Sequence, residues 1–510
     1  MSVIPRRGEA LYKVAASVRT IVATVARWFY IRPLGLSDRP GRDHVLTAAI
    51  VAAVVASRWW AFPASIWDRD EAIFAQALVD FAPENLVPHP PFFPLWVGLG
   101  RIVHTMIPGA EPESVLQWLS VAFSVWILFP LVALASLLMS RRQAVASALL
   151  FVAVPAAWMF SGRAFSEPMA TALLVGAAAH LLQPRPTMGS AIAGAAYLTA
   201  CLLARPQLLP VGIALCVWHT TRAASHRERV IPWALPLVAG LPVALYFVVR
   251  CGGPMATLVL FRNHAVYHFG KYGSLDWSVG ELGILNAAGG GLQGLVWLIL
   301  ALEGFALLLR REEHRTAALG LALAVALPTI YYTVFAHNPT FLRYALPWYA
   351  VTAPAVVVAV TAMVGSTRRG MITLTVVIIA VAAQTVPHLG SYRSRPAPIV
   401  SALHEISDLE NSSQTHLLVD HNLATYVDLY RSTERIRCEV SWMPNRPGSF
   451  EERTFSTDRK LAVAVFDDDL RRWDVSGAST SAHECTDTWL CSMASPRFHR
   501  VMVVYGSGGS

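Results

Sequence analysis

Apolar residues are gathered into long runs between residues 44 and 388, and most of these runs are roughly twenty residues long. An α-helix of that length crosses the hydrocarbon core of a bilayer, which is about 30 Å thick. The pattern therefore predicts a mainly α-helical polytopic membrane protein with about 11 transmembrane helices. The predicted spans are 44–64, 115–139, 143–160, 166–182, 189–204, 207–219, 231–250, 290–309, 316–335, 345–365 and 371–388.

The fifth and sixth predicted spans are shorter than the others, and only Arg205-Pro206 separates them. These two segments also fit a single broken or tilted hairpin. That alternative would change the side of the membrane on which the neighbouring loops lie, so both interpretations stay open.

The pattern changes after residue 388. Segments 415–421, 460–467 and 499–505 have the composition of short buried β-strands, and helix-like segments lie between them. Residues 393–510 are therefore predicted to form a small soluble α/β domain beyond the membrane-spanning part of the chain, which covers residues 44–392.

Three of the six cysteines lie in this predicted domain, namely Cys438, Cys485 and Cys491. Outside the cytoplasm a disulfide between Cys485 and Cys491 is allowed. Three cysteines leave one over, however, so the sequence alone does not decide the pairing.

The composition agrees with a membrane protein. Hydrophobic residues make up 55% of the 510 residues and charged residues 15%, with a mean hydropathy of +0.46. Soluble domains carry about 25% charged residues, so a water-soluble enzyme built on one large core is excluded.

The net charge is +8, from 41 Lys and Arg minus 33 Asp and Glu. Because the basic residues are scattered between the spans, they indicate no nucleic-acid partner.

The distribution of Lys and Arg predicts the orientation of the chain. Five short inner segments hold eleven Arg in 33 residues, whereas the outer loops 65–113 and 251–288 hold four Lys or Arg in 87 residues. Basic residues accumulate on the cytoplasmic side. Residues 1–43, a basic amphipathic segment, are therefore predicted to be cytoplasmic, and the domain 393–510 extracytoplasmic. The chain is predicted to be an integral protein of the plasma (inner) membrane.

The first outer loop begins with a cluster of carboxylates at Asp68, Asp70 and Glu71. These residues can be solvated, or they can cap the helix that follows, where Asp and Glu are favoured. For Asp68 a catalytic role, as a base, and these structural roles weigh equally. For Asp70 and Glu71 a functional role is favoured, because segment 72–81 predicts an amphipathic helix that would hold the pair rigidly at the membrane face.

A proline-bounded stretch, residues 88–94, follows in the same loop and carries His89. A stiff stretch of this kind leads the chain back to the membrane interface. His89 is therefore predicted to lie near the membrane surface. A lone histidine is more often structural than catalytic, so His89 is the weaker candidate for a functional role.

Three arginines lie at the outer ends of later predicted spans: Arg163 with Glu167, then Arg205, and then Arg343 with Tyr344. Burial of a charge near the bilayer costs about 2.5 to 3.5 kcal/mol, so such residues pair, face a wet cavity or extend to lipid headgroups. Their convergence on the side of the acidic loop favours an anionic phosphate ligand beside a base.

The second outer loop carries a basic, aromatic segment, with Arg262-Asn263-His264 followed by Tyr267-His268. The pattern favours a structural amphipathic helix, and contact with a sugar or headgroup is the alternative. Arg58 and Arg250, near the ends of two spans, are predicted to extend to the interface while their stems stay in apolar surroundings.

Five short motifs resemble, in this order, those of the integral-membrane GT-C glycosyltransferases that use polyprenyl-phosphate sugars. This family includes the protein O-mannosyltransferases and the lipid A aminoarabinose transferases. The resemblance covers residues 44–365, whereas the C-terminal domain departs from both subfamilies. The motifs are DRDEAIFAQAL, HPPFFPLW, RAFSEP, LLARP and FLRYALP.

The resemblance implies specific roles for the candidate residues. Asp70 corresponds to the general base or acceptor-orienting carboxylate, with Glu71 beside it in support. His89 stands where some relatives have a lysine before the paired prolines. The implied phosphate-binding residues are Arg343, Arg205, His89 and Tyr344, and the supporting residues are Asp68, Arg163 and Glu167.

The expected activity is an inverting transfer of a sugar from a polyprenyl-phosphate donor to a hydroxyl acceptor on a protein, lipid or polysaccharide. The carboxylate would take the proton and the arginines would stabilise the departing phosphate. The residues demand no metal, although a divalent metal stays an open alternative. A multispan transporter or lipid flippase is the rival interpretation, but it predicts more polar residues at mid-membrane depth than the spans contain.

Overall fold

The computed structural model describes most of the membrane-spanning part and the regular elements of the C-terminal part. Most of the basic amphipathic segment predicted over residues 1–43 lies outside the described residues. The residues described are 34, 40–272, 282–334, 342–409, 415–419, 424–433, 439–442, 460–466, 479–486 and 500–505.

The first third of the described chain is helical, and several of its helices begin at a proline or at a capping residue. Proline is favoured in the first turn because the N–H that it lacks has no partner there. The helices are α1 (Pro40–Trp60), α2 (Arg69–Val79), α3 (Pro94–Met106), α4 (Pro112–Trp126), α5 (Leu128–Ala135), α6 (Arg141–Ala153) and α7 (Pro155–Phe160).

The middle of the chain continues as paired helices. Helices α8 (Glu167–Leu181) and α9 (Met188–Ala204) pack against each other, and the 3₁₀ turn Pro206–Leu208 leads from α9 into α10 (Leu209–Arg222). The fifth and sixth predicted spans are therefore two helices joined at Arg205. The helices that follow are α11 (His226–Arg250), α12 (Pro254–Tyr272), α13 (Gly283–Asn286), α14 (Gly291–Arg310) and α15 (Glu312–Gly320).

The last section of the membrane-spanning part consists of three helices with irregular segments before the first two of them. The π-helical segment Leu321–Ala326 links α15 to α16 (Leu327–Val334), and the 3₁₀ turn Leu342–Ala345 opens α17 (Leu346–Met363). Helix α18 (Thr367–Ser394) then leads to the C-terminal part. Helix α17 is buried along most of its length and packs against α6, α8, α14 and α18.

Five helical stretches in the described part of the chain are long and apolar enough to cross a membrane. The chain is therefore an integral membrane protein. The larger number of about 11 spans stays a prediction, because several other apolar helices are short or are interrupted. The five stretches are Pro112–Ala135, His226–Arg250, Gly291–Arg310, Leu342–Met363 and Thr367–Glu405.

The C-terminal part forms a five-stranded mixed sheet with the order β2-β1-β3-β5-β4. Strand β1 is parallel to β2 and β3, whereas β5 is antiparallel to β3 and β4. Helix α19 packs against β4 and β5. The elements are α19 (Pro398–Leu409), β1 (Thr415–Val419), α20 (Ala424–Ser432), β2 (Glu439–Trp442), β3 (Lys460–Phe466), β4 (Ser479–Glu484) and β5 (Arg500–Tyr505).

The three apolar segments expected to be strands contain β1, β3 and β5, which form the centre of this sheet. The sequence pattern missed β2 and β4. These are the two edge strands, and a strand paired on one side needs less apolar sequence than a central one. Cys485 is disulfide-bonded, and its partner lies outside the described residues.

Helix α2 is more deeply buried than an amphipathic helix at the membrane face would be. Every residue from Glu71 to Leu78 is buried. The reason is that α3 and α4 pack against α2 and that α20, from the C-terminal part, covers a further side. The helix that carries the acidic cluster is therefore enclosed by both parts of the chain.

The prediction that Arg58 extends to the interface is wrong. The residue is only 2% exposed, and its Nη2 donates to the carbonyl of Val152 at 2.5 Å near the C-terminal end of α6. The guanidinium also lies 5.5 Å from the ring centre of Trp158. These partners replace the headgroups that Arg58 was expected to reach. Arg250 is exposed, as expected, and pairs with Glu84 at 3.4 Å.

Candidate active site

The acidic cluster opens helix α2 through a reciprocal cap. Asp68 is the N-cap residue, and its Oδ1 accepts a hydrogen bond from the backbone N–H of Asp70 at 2.8 Å. Glu71 Oε2 accepts from the backbone N–H of Asp68 at 2.9 Å. Such a capping box satisfies backbone donors that the first turn of a helix leaves unpaired. The capping interpretation therefore holds for Asp68, and its second oxygen is left to make other contacts.

Arg343 contacts three carboxylates at once. Its Nη2 donates to Asp70 Oδ2 at 2.5 Å, and its Nη1 lies 3.6 Å from Asp68 Oδ2. Its Nε lies 3.2 Å from Glu167 Oε1. The guanidinium also lies 4.3 Å from the ring centre of Phe165. The 3₁₀ turn at the start of α17 thus holds a buried cation against the N-terminus of α2.

Arg205 lies at the turn between α9 and α10 and reaches the same cluster. Its Nη1 donates to Ser166 Oγ at 3.0 Å and lies 3.2 Å from Glu167 Oε1. The guanidinium sits 5.5 Å from the ring centre of Phe93 and 5.0 Å from that of Tyr344. Arg205 and Arg343 therefore share one buried carboxylate, as well as the aromatic ring of Tyr344.

His89 reaches the acidic cluster from the proline-bounded turn. Its Nε2 lies 3.5 Å from Asp70 Oδ1, and its Nδ1 lies 2.9 Å from the carbonyl oxygen of Pro90. The imidazole stacks on that of His264 in α12, with ring centres 5.1 Å apart and an angle of 22° between the planes. The second outer loop thus meets the first beside Asp70.

The turn that carries His89 has an unusual backbone. Phe92 and Phe93 have φ values of 71° and 46°, in the left-handed region that aromatic residues rarely adopt. Both side chains are 2% exposed. Phe92 stacks on Phe247 at 4.4 Å, and Phe93 packs against Phe74 at 4.9 Å. Packing therefore holds a strained turn in place, and strain of this kind clusters at functional sites.

Glu71 and Arg163 form a fully buried ion pair on the other side of α2. Glu71 Oε2 accepts from Arg163 Nε at 2.8 Å and Nη2 at 2.5 Å, and from the backbone N–H of Trp67 at 2.8 Å. Glu71 Oε1 accepts from the backbone N–H of Ala164 at 2.9 Å. Both side chains are 0% exposed. The carboxylate is thus occupied by protein donors, and these contacts favour a structural role over a catalytic one.

Glu71→Gln is expected to lower the free energy of unfolding by about 3–5 kcal/mol, because it leaves the buried Arg163 charge uncompensated. Glu84→Gln is the matched control, since the Glu84–Arg250 pair is about two-fifths exposed and such a pair contributes about 0–1 kcal/mol. Denaturant unfolding of both variants in detergent measures the difference. Equal losses would contradict the structural role of Glu71.

The two aspartates have opposite electrostatic environments. Burial raises the pKa of Asp68 above its usual value, because the opposing charge of Arg343 is too weak at its distance to offset it. Burial would raise the pKa of Asp70 as well, but the closer charge of Arg343 and the hydrogen bond from His89 hold it well below the usual range. Asp70 is therefore the carboxylate of the pair that stays ionised to lower pH.

The cluster does not fit a resident metal ion in this arrangement. Across the described ranges, no group of three His, Cys, Asp or Glu side chains is positioned to hold a metal. The guanidinium of Arg343 lies between Asp68 and Asp70, where a cation shared by the two carboxylates would bind.

All nine candidate residues lie in two connected groups around the first turn of α2. His264 and the ring of Phe165 also contact this site, although the sequence did not assign them to it. The basic, aromatic segment of the second outer loop and the RAFSEP motif were the available signals. One group is Asp68, Asp70, His89, Glu167, Arg205, Arg343 and Tyr344, and the other is Glu71 with Arg163.

The fold is similar to that of the solved structures of ArnT from Cupriavidus metallidurans. ArnT from Cupriavidus metallidurans bound to undecaprenyl phosphate matches with a TM-score of 0.54 at 13% identity, covering 90% of this chain and 97% of that chain. The oligosaccharyltransferase of Archaeoglobus fulgidus, tethered with an acceptor peptide containing the NVT sequon, has a TM-score of 0.49 at 10% identity. That match covers 83% of this chain and 69% of that chain. No protein-family model and no curated protein sequence matches the chain.

The match to ArnT confirms the fold implied by the resemblance of the motifs. At 13% identity it carries the fold alone. The roles of the individual residues therefore rest on their own chemistry.

Proposed function

We propose that the chain is an inverting glycosyltransferase that moves a sugar from a polyprenyl-phosphate donor to a hydroxyl acceptor. The observation that carries this proposal is the contact of Asp70 with Arg343, 2.5 Å apart, beside Arg205 and His89. A carboxylate that can accept a proton thus lies next to cations that can bind a phosphate. The fold adds support, because ArnT shares it and was crystallised with undecaprenyl phosphate.

In the proposed reaction Asp70 accepts a proton, and the arginines stabilise the leaving phosphate. The acceptor hydroxyl attacks the anomeric carbon while the bond from that carbon to the phosphate oxygen breaks, which inverts the configuration. Asp70 takes the hydroxyl proton as general base. Arg343 and Arg205 stabilise the charge that develops on the departing phosphate. His89 and Tyr344 complete the phosphate side of the site.

The remaining residues are proposed to support this geometry. Asp68 caps α2 and contacts Arg343, and Glu167 holds Arg205 and Arg343 together through one oxygen. Arg163 anchors α2 through Glu71, for which we propose a positioning role.

Donor binding should activate the base. In the free chain Arg343 keeps the pKa of Asp70 low, which makes it a weak proton acceptor. A donor phosphate beside Arg343 adds negative charge and competes with Asp70 for the guanidinium, so the pKa of Asp70 rises in the complex. Binding of the donor would therefore strengthen the base that the reaction needs.

This coupling predicts that the pH–rate profiles of kcat and of kcat/KM fall off at different acidic pH values. The acid limb of kcat, which reports the complex, should lie at higher pH than the acid limb of kcat/KM, which reports the free enzyme. Transfer rates at saturating and at limiting donor are measured from about pH 8 down to the lowest pH at which the chain stays folded. Acid limbs that coincide would contradict the coupling between Arg343 and Asp70.

We propose that the reaction occurs on the outer face of the plasma (inner) membrane, with residues 1–43 cytoplasmic and 393–510 extracytoplasmic. The excess of Arg in the predicted inner segments supports this orientation. The disulfide at Cys485 also suits a compartment outside the cytoplasm. The acceptor hydroxyl can belong to a protein, a lipid or a polysaccharide.

One experiment tests the proposed function. Purified protein in nanodiscs is incubated with labelled polyprenyl-phosphate sugars and a membrane extract, and whatever becomes labelled is identified. Covalent transfer with release of polyprenyl phosphate is the expected result. Movement of intact donor across proteoliposome membranes without cleavage would instead support the transporter or flippase.

A further inference from the structure

Arg58 differs from the other buried arginines of the described ranges in having no acidic partner there. It is 2% exposed, and its guanidinium contacts neutral groups, namely the hydroxyl of Ser57, the carbonyl of Val152 and the ring of Trp158. The other buried arginines each form an ion pair with a carboxylate, at Arg163, Arg205 and Arg343. Burial of a charge is costly unless an opposite charge lies beside it. Arg58 therefore needs a counter-ion that the described residues do not supply.

Arg58 lines a small cavity where the six helices α1, α4, α6, α7, α8 and α17 meet. The volume of this cavity is about 10 Å³, which is room for one water molecule or one monatomic ion. Two buried polar atoms of its lining residues have no hydrogen-bond partner within the described part of the chain, Arg58 Nε and Thr171 Oγ1. The guanidinium N–H can only donate, and the hydroxyl can donate. An occupant of the cavity can therefore accept from both.

The first turns of two long helices also line this cavity. Pro168 lies in the first turn of α8 and Leu346 opens α17, and these helices are 15 and 18 residues long. The N-terminal end of a helix carries a positive partial charge, which favours an anion. The C-terminal end of α6 opposes this field, but the carbonyl of Val152 accepts from Arg58. The electrostatic environment of the cavity is therefore positive.

We propose that the cavity binds one monatomic anion of the size of chloride, held by the guanidinium of Arg58 and the hydroxyl of Thr171. A water molecule would satisfy both donors, but it would leave the charge of Arg58 uncompensated. A cation would be repelled by that charge. The anion site lies apart from the residues assigned to the proposed reaction, and it does not rest on the proposed function.

The cavity adjoins the candidate active site through two helices. Pro168 follows Glu167, whose carboxylate pairs with Arg205 and Arg343. Leu346 lies three residues after Arg343. The bound anion thus stabilises the packing of α1 against the beginnings of α8 and α17. Its loss should lower the stability of the chain without removing a contact to substrate.

The anion is expected to raise the midpoint of thermal unfolding, because a ligand that binds only the folded chain stabilises it. Full-length protein in detergent is unfolded in about 150 mM sodium chloride and in sodium gluconate of the same ionic strength, since gluconate is too large for the cavity. The midpoint should be at least about 2 °C higher in chloride. Equal midpoints in the two salts would overturn the proposal.

Three variants assign this response to the cavity. Arg58→Gln should abolish it, and Thr171→Val, which keeps the shape of the side chain, should raise the chloride concentration required by about tenfold. Arg101→Gln is the matched control, because Arg101 also donates to a carbonyl, that of Ala77, and lies 5.5 Å from the ring centre of Phe81. It should keep the response. A response that persists in both Arg58→Gln and Thr171→Val would come from another site and overturn the proposal, and Thr171→Val alone decides if Arg58→Gln does not fold.

A diffraction measurement identifies the occupant directly. Crystals of the full chain grown in sodium bromide are measured at the bromine absorption edge, because bromide replaces chloride and scatters anomalously. An anomalous peak beside Arg58 Nε is expected, and it should be absent in crystals of Thr171→Val grown at low bromide. Density for a water molecule without anomalous signal in the wild type would overturn the proposal. Neither measurement uses a sugar donor, so failure of the proposed function would leave both results standing.

Discussion

Asp70→Asn is expected to lower the rate of sugar transfer by about 10²–10⁴-fold, the range that general-base catalysis contributes. The substitution removes the proton acceptor but almost no volume, so the chain should fold as before. It also removes the charge that competes with a phosphate for Arg343. The variant should therefore bind undecaprenyl phosphate at least as well as the wild type, while transfer is lost.

Asp80→Asn is the matched control, because Asp80 is exposed and caps the opposite end of α2. That variant should keep wild-type rates. Transfer kinetics, the midpoint of thermal unfolding and binding of undecaprenyl phosphate are measured for both variants. Full activity in Asp70→Asn would remove the base from the mechanism, and a lowered midpoint in that variant alone would point to a structural role for Asp70.

The helical architecture could be predicted from the sequence because it depends on local patterns. Runs of apolar residues predict membrane-spanning helices through their length. The break between α9 and α10 falls at Arg205-Pro206, where the sequence already indicated it. The central strands of the C-terminal sheet were predicted because apolar residues concentrate there, and the edge strands were missed because they do not.

The position of the site was also predictable, because charges are rare in apolar sequence and those present must find partners. Asp70, His89, Arg205 and Arg343 were each identified from their neighbours in the sequence, and the structure brings them together. The pairing within the group could not be predicted. Which carboxylate meets which arginine depends on contacts between residues that lie far apart in the sequence, such as Asp70 and Arg343, and no sequence pattern encodes these.

Glu71 illustrates this limit. In the sequence it stands beside Asp70 and has the same chemistry, so the two were treated as a pair. Consecutive residues on a helix point about 100° apart, however, and need not face each other. Asp70 turns towards Arg343, whereas Glu71 turns towards Arg163 and the backbone of its own loop. A difference of one position thus separates the proposed base from a structural carboxylate.

Helix α20 shows a second limit of prediction from the sequence. The sequence predicted a helix there and a separate soluble domain around it. A periodic pattern identifies the buried face of a helix, but it does not reveal what covers that face. The contact of Thr425 with Arg69, beside the acidic cluster, could be recognised only once this helix was seen against α2.

Arg343→Ala is expected to raise the KM for the donor by about 10- to 100-fold, the effect of losing a charge-assisted hydrogen bond to a phosphate. The KM for the acceptor should change much less, since Arg343 faces the leaving group in the proposed reaction. Arg343→Lys keeps the charge but loses the planar fork, so it should fall between the alanine variant and the wild type.

The alanine variant also leaves three carboxylates near one another with less positive charge between them, at Asp68, Asp70 and Glu167. Part of its loss could therefore come from altered folding, and Arg343→Lys separates the two causes because it preserves the charge balance. Arg250→Ala is the matched control, since Arg250 is exposed and pairs with Glu84 alone among the described acidic residues. Initial rates are measured with donor and acceptor varied in turn. A donor dependence that stays unchanged in both Arg343 variants would contradict the assignment of Arg343 to the phosphate.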